Sequence, residues 1–311
     1  VDYCKALAAA IGLNPTTDIE YVLATGNNRF DLLADGSIDV LIRTTTWTTS
    51  RDADLNADFA GTNFFDGQGV LVRGNVFPAA DTVSMDGLTG ATVCVASGTT
   101  TEGNIADWNA EKGNIITVST LESEDATTAG LIDGSCDAVT GDMSAMAARM
   151  YVLNEEGSCS TCDLWIPADI ISKEPLAAAT RDNDDDWNDI VAWVWYALVT
   201  AEEMGITQGN VDATAADANI GIAANRLLNT NMGLGTAANP LPNNWGHLAI
   251  KAVGNYGEVY SRGFCDGTYD GVSGSSHLTT ASGAGNCILP REGTLNALVS
   301  EGGVMYAPAM R

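Results

Sequence analysis

At 311 residues the chain has the length of about two domains, and 45% hydrophobic residues supply ample core material. Fourteen Lys and Arg stand against forty Asp and Glu, and the net charge of −26 argues against nucleic acid or anionic lipid as a partner. No apolar run approaches the ~18 residues of a membrane span, so the chain reads as a mature or trimmed soluble form, and its charge suits a saline habitat where salt screens self-repulsion.

Asp2 is the expected N-cap of a first helix whose apolar face is Cys4, Leu7, Ala8 and Ile11, at the i, i+3, i+4, i+7 spacing. A strand over Tyr21 to Leu23, a loop from Ala24 to Asn28 and a helix from Phe30 to Ala34 follow, and the Asp35-Gly36 turn leads into a buried strand, Ile38 to Ile42. That strand empties into a polar mouth of Thr44, Thr45, Thr46, Trp47, Thr48 and Thr49, then Arg51. Taken alone, this is equally a Thr-rich loop with an arginine on a solvated face. A second stretch repeats the arrangement: Thr92 to Val95 form a β-rich run, and Ser97, Gly98, Thr99, Thr100 and Thr101 follow, with Gly98 to Thr101 opening a helix. Cys136 to Asp142 is a third short strand, with a carboxylate at its far end. Later in the chain Trp187, Ile190, Val191, Val194 and Leu198 share a helical face. The acidic run before them, Asp182 and Asp184 to Asp186, lacks the glycine and closing glutamate of a calcium loop and reads as residues opening a helix. Further helices are expected near Ile220 to Leu228 and Trp245 to Ser261.

Ligands collect beyond the carboxyl ends of strands in open α/β sheets. Three strand ends here carry hydroxyls, one cation and one anion, a set that complements an α-amino acid: carboxylate to arginine and hydroxyls, ammonium to a carboxylate. The chain has no base and nucleophile pair, metal cluster or phosphate loop, so neither an enzyme nor a cofactor is expected.

In order along the chain, the segments VDYCKALAAAIG, IDVLIRTTTWTTSRD, FFDGQGVLV, GATVCVASGTTTEGN, CDAVTGD, IISKEPLAAATRDNDDDWNDIVAWVWYALVTAEEMGIT, IKAVGNYGEVY and LNALVSEGGVMYAPAMR resemble the general L-amino-acid-binding proteins of ABC importers. The resemblance implies an α/β fold of the two-lobed type II periplasmic-binding-protein class, each lobe a doubly wound sheet flanked by helices, with two crossing strands as hinge. Lobe one would comprise 1–74 and 173–311, and lobe two 75–172. Phe64 to Val72 would be the outward crossing and Ile171 to Ala178 the return, with Pro175 stiffening it. The implied ligand set is Arg51 and Thr46 on the carboxylate, Thr99 and Thr100 facing them from lobe two, Asp142 on the ammonium, and Thr44, Trp47 and Asn28 around them. An L-amino acid and a membrane permease are the implied partners, in the periplasm or outside the cell.

Seven cysteines point to an oxidising compartment. The fold implied by the resemblance sets Cys94 and Cys136 at similar depth on adjacent strands, where a bridge is reasonable. Cys159 and Cys162 could close a tight loop, chelate a metal or do redox chemistry; without a second ligand pair nearby a structural loop bridge is expected. Cys265 and Cys287 bracket a Gly- and Ser-rich excursion that a bridge would tie. Cys4 is left as a buried thiol. The insert from Val152 to Cys162 is longer than the family usually has.

The sequence departs from the family ahead of Asp2, where its members carry a first strand and a pocket loop. In strand order 2-1-3 the segments near Tyr21 to Leu23 and Ile38 to Ile42 would flank a gap. The gap is expected to be filled by another chain or copy, closed by rearrangement, or left as an open slot if residues precede Val1. Direct pairing of the two segments would contradict the strand order. A second class of function follows: a structural or filament-forming protein that borrows a strand from neighbouring copies.

Overall fold

The computed structural model describes residues 1–79, 84–265 and 287–311. Helices α1 (Asp2–Ala10), α2 (Arg29–Ala34) and α3 (Thr49–Asp54) precede the 17-residue strand β1 (Ala57–Arg73). A 3-10 turn (Met85–Leu88) leads to β2 (Thr92–Ala96), α4 (Thr100–Glu111), β3 (Thr117–Leu121), α5 (Glu124–Asp133), β4 (Ala138–Asp142), α6 (Met143–Glu156) and β5 (Leu164–Trp165). Then come β6 (Lys173–Arg181), α7 (Asp185–Glu203), α8 (Val211–Ala216), α9 (Ile222–Asn229), α10 (Trp245–Val253) and α11 (Tyr256–Phe264).

Two lobes share β1. Its first part pairs antiparallel with β6, from Ala57 opposite Arg181 to Gly67 opposite Lys173. Its last part pairs with β4, from Gln68 opposite Asp142 to Val72 opposite Ala138. In the second lobe the order is β3-β2-β4-β1-β5, with β2 parallel to both β3 and β4. Parallel neighbours need crossovers, and α4 and α5 supply them. The period of two then sorts the core: Val70, Val72, Val93 and Val95 pack on one face with Ile105 of α4, while Leu71, Cys94 and Val139 pack on the other with Leu131 of α5 and Met146 of α6. The first lobe repeats the device on β6, where Ala178 faces α1, α7 and α10 and Ala177 and Ala179 face Leu33 of α2.

The two edge segments differ from expectation. Of Ile38 to Ile42, only Leu41 exchanges backbone bonds with β6, to Ala179 at 2.8 and 3.0 Å, and a second contact joins Thr46 to Leu176. Tyr21 to Leu23 form no strand; among the described residues no backbone hydrogen bond joins 19–24 to another segment, and Leu23 is 86% exposed. A ladder needs a partner on both edges of an inner strand, and the two segments do not pair with each other. They line a groove of about 800 Å³ with Leu7, Ala8 and Ile11 of α1 on its wall. Among the described residues this groove separates the two segments.

Smaller corrections have local causes. Val1, not Asp2, is the N-cap of α1; Asp2 is the first helical residue and pairs with Arg262 of α11 at 2.9 Å. Cys4 is only half-buried, on the groove wall, where partial burial still pushes its thiol up. The helix expected over Trp245 to Ser261 breaks at Gly254, which has φ +81° and no room for a side chain, its Cβ position lying 2.3 Å from Glu258 Oε2. Asn255 and Glu258 then cap α11 reciprocally. The acidic run opens α7, with Asp184 accepting from the Trp187 N–H and Asp185 and Asp186 in the first turn, where the helix dipole favours them.

Disulfides join Cys94 to Cys136, Cys159 to Cys162 and Cys265 to Cys287. The first joins Cys94 of β2 to Cys136, two residues ahead of β4, with its Cα atoms 5.8 Å apart. The excursion bracketed by the last lies outside the described residues. In the insert, α6 runs to Glu156 and Gly157 stops it, so that Cys159 and Cys162 tuck into the core beside Leu131.

Candidate functional site

The carboxyl ends of β2 and β4 meet the Thr44 to Trp47 turn across the cleft between the lobes, and a cavity of about 280 Å³ lies there. The first lobe lines it with Arg29 of α2 and with Arg43, Thr44 and Thr46. From the second come Thr99, Thr100 and Thr101 after β2, Thr140, Gly141 and Asp142 ending β4, Glu124 and Thr127 of α5, and Ala145, Met146 and Arg149 of α6.

Five of the residues expected from the sequence therefore come together: Thr44, Thr46, Thr99, Thr100 and Asp142. Three stand outside the lining. Arg51 lies behind it, donating from Nη1 to the Thr46 carbonyl at 3.0 Å, with its guanidinium 5.5 Å from the Phe30 ring. Trp47 stacks on Phe59. Asn28 accepts from the Thr25 N–H at 2.7 Å and so holds its own loop. Arg29, Arg43, Glu124 and Arg149 were not singled out in the sequence. The signal for the arginines was their scarcity in so acidic a chain.

The lobes touch around the cavity. Asn27 Nδ2 donates to Ser97 Oγ at 2.8 Å, and Arg43 reaches Glu124 at 2.6 Å. Gly26 makes the approach possible, since a Cβ there would lie 2.6 Å from the Ser97 carbonyl oxygen. Glu174, on β6 and 1% exposed, gathers donors from both sides: Thr46 at 2.5 Å from the first lobe, Thr100 and Asn104 at 2.8 Å from the second, and Ser172. A buried carboxylate is tolerated only when so satisfied, and this one joins two cavity hydroxyls to the hinge.

Asp142 is set apart. It occupies the N-cap position of α6, but its side chain makes no cap bond. Asp66 of β1 takes that duty, accepting from the Ser144 N–H at 3.3 Å and from Ser144 Oγ. The Asp142 carboxylate is left to the cavity. Burial, with Asp66 and Glu174 nearby, pushes its carboxyl up to about 7 against the pull of Arg29 and Arg43. Burial, then Arg51 and Arg43, brings Arg29 down to about 9, so it stays charged at neutral pH.

The sign of the pH effect follows. Because the folded carboxyl holds its proton above the ordinary carboxylate range, its ionisation destabilises the unliganded fold as pH rises toward about 7. An ammonium that requires the carboxylate binds better over the same rise. Amino-acid affinity is expected to climb by up to about tenfold per unit between roughly pH 5 and 7, then level off. Calorimetric titrations across that range check it, and a flat profile would remove Asp142 from the ligand.

No family model matches the chain. It is 38% identical over 311 residues to the glutamate/glutamine/aspartate/asparagine-binding protein BztA of Rhodobacter capsulatus, covering 100% of this chain and 83% of the relative. It is 39% identical over 314 residues to the general L-amino acid-binding periplasmic protein AapJ of Rhizobium johnstonii, covering 100% and 82%. A solved ABC transporter periplasmic binding protein from Brucella ovis, with glutathione bound, matches at a TM-score of 0.83 and 35% identity, covering 100% of this chain and 88% of its own. The chain belongs to the family of periplasmic amino-acid-binding proteins of ABC transporters, with their two-lobed type II fold.

Proposed function

We propose that the protein captures an L-amino acid in the cavity between its lobes, closes over it about the β1 and β6 crossing, and delivers it to an ABC transporter permease from the periplasm. The lobes that move are 1–74 with 173–311, and 75–172. The observation that carries this reading is the carboxylate of Asp142, freed from helix capping by Asp66 and set in one small cavity with the Arg29 guanidinium. A zwitterion supplies a countercharge to both groups; the Arg29 guanidinium donates to the Thr44 and Gly98 carbonyls at 3.0 and 3.4 Å, so it is the Asp142 carboxylate that an uncharged solute would leave without a charged donor from the ligand. Arg51 supports the carboxylate end through the Thr46 carbonyl it holds. The relatives named as binding proteins support reading this one as a carrier of its ligand. The relatives are named for binding, which favours transport over the filament reading.

A thermal-shift panel of the twenty L-amino acids tests it, with glutathione added because the Brucella ovis protein holds that peptide. A ligand that binds only the folded state at about a hundred times its Kd stabilises by about 2.7 kcal/mol. At least one amino acid is expected to raise the melting temperature in a concentration-dependent way; no shift from any of them would refute the reading.

A further inference from the structure

Three of the chain's fourteen lysines and arginines line this one cavity, and only two carboxylates, Glu124 and Asp142, stand against them. With Asp142 and Arg29 matched to the two charges of an amino-acid backbone, the charged lining that remains is Arg43, Arg149 and Glu124. Glu124 takes Arg43 from across the cleft at 2.6 Å, while Arg149 Nη1 donates to Thr127 Oγ1, one turn along α5, at 3.1 Å. Burial disfavours charge on Glu124, yet Arg43 and Arg149 outweigh it and hold its carboxyl below the ordinary range. The half-exposed Glu124 carboxylate therefore binds Arg43 directly, while Arg149 acts on it through its charge alone.

We propose that Glu124 is a specificity-determining residue: by occupying Arg43 it tempers the positive charge of the cavity lining and sets the preference between acidic and uncharged ligand side chains. This rests on the reading of the cavity as an amino-acid site. A ligand carboxylate has to share the guanidiniums with Glu124, whereas an amide meets no such competition. With Glu124 neutral, Arg43 and Arg149 both turn to the ligand and an acidic side chain gains; with Arg43 neutral, Glu124 faces the ligand and an acidic side chain loses. A residue that only latched the lobes would affect all ligands alike.

The test uses L-glutamate and L-glutamine, which share a shape and differ in charge. Their dissociation constants are measured by calorimetry for the wild type, Glu124→Gln, Arg43→Gln and the double variant, with melting temperatures taken alongside. The ratio of the glutamine to the glutamate constant is expected to rise about tenfold in Glu124→Gln, the scale of one charge-assisted hydrogen bond. It is expected to fall by a similar factor in Arg43→Gln and to return near the wild-type ratio in the double variant. A ratio that stays within about twofold of wild type in both single variants, or parallel weakening of both ligands, overturns the inference. If the wild type binds neither these nor any other amino acid, the function itself fails, and that result is distinct from an unchanged ratio.

Discussion

Asp142→Asn is expected to weaken amino-acid binding about a hundredfold while leaving the fold at least as stable as before. The asymmetry comes from how β4 ends. In many helices an aspartate at the N-cap holds the first turn, and its loss costs on the order of 1 kcal/mol. Here Asp66 reaches across from β1 to bind Ser144, and the Asp142 side chain makes no cap bond. Its carboxylate is buried beside two others, Asp66 and Glu174, an arrangement that opposes ionisation. An amide removes that repulsion from the unliganded protein. In the complex it leaves the ligand ammonium facing a neutral group, and losing one partner of a desolvated charge pair costs roughly 2–5 kcal/mol. Titration calorimetry and urea unfolding of the same variant separate the two effects. Unchanged affinity would place the ammonium elsewhere; a large loss of stability would show that Asp142 serves the helix after all.

Arg291→Met is expected to lower the unfolding free energy by about 3–5 kcal/mol, the cost of removing one partner of a buried ion pair. Arg291 and Glu202 are both fully buried, and the guanidinium donates from Nη1 and Nη2 to the two carboxylate oxygens at 2.9 and 2.5 Å. The same guanidinium lies 4.9 Å from the centre of the Tyr256 ring, whose hydroxyl donates to the Asn296 carbonyl. Burial alone would pull the arginine down, but Glu202 outweighs it and raises its affinity for the proton. The pair ties α7 to α11 and to the last segment of the chain. The double variant Arg291→Met with Glu202→Met is expected to recover part of the loss, because it removes both members of this pair, while Glu301, 3.9 Å from the guanidinium, still loses the arginine. Equal destabilisation in single and double variants, by urea denaturation, would show that packing and not the charge carries the effect.

The parts of this molecule that were legible in the sequence are those encoded locally. A β-rich run marked β2, a short strand marked β4, the resemblance marked β1 over Phe64 to Val72, and small polar residues after β2 and β4 marked the lining of the cavity. Thr46, Thr100 and Asp142 stand at strand ends, a position that sequence order reports directly. Arg43, Glu124 and Arg149 converge only because the lobes close, bringing α5 and α6 against a turn some eighty residues distant in sequence, as the Arg43 to Glu124 contact shows. No periodicity carries that information. Trp47 and Asn28 lie close to the site in sequence, yet a stacking contact with Phe59 and a bond to Thr25 commit them locally. Tyr21 to Leu23 have the residues of a strand, but a ladder is made by its partner, and their edge faces the groove beside α1. Glu174 read only as part of a hinge; its four side-chain donors come from both lobes and from Ser172, just ahead of β6.

The most direct measurement is isothermal titration of L-amino acids into the wild-type protein near pH 7.5, with glutamate and glutamine first. The account predicts saturable binding at one site per chain, weakened about a hundredfold in Asp142→Asn and falling as the pH is lowered below about 7, where the carboxyl takes its proton. Binding that survives both changes, or no binding heat with any amino acid at millimolar concentration, would contradict it.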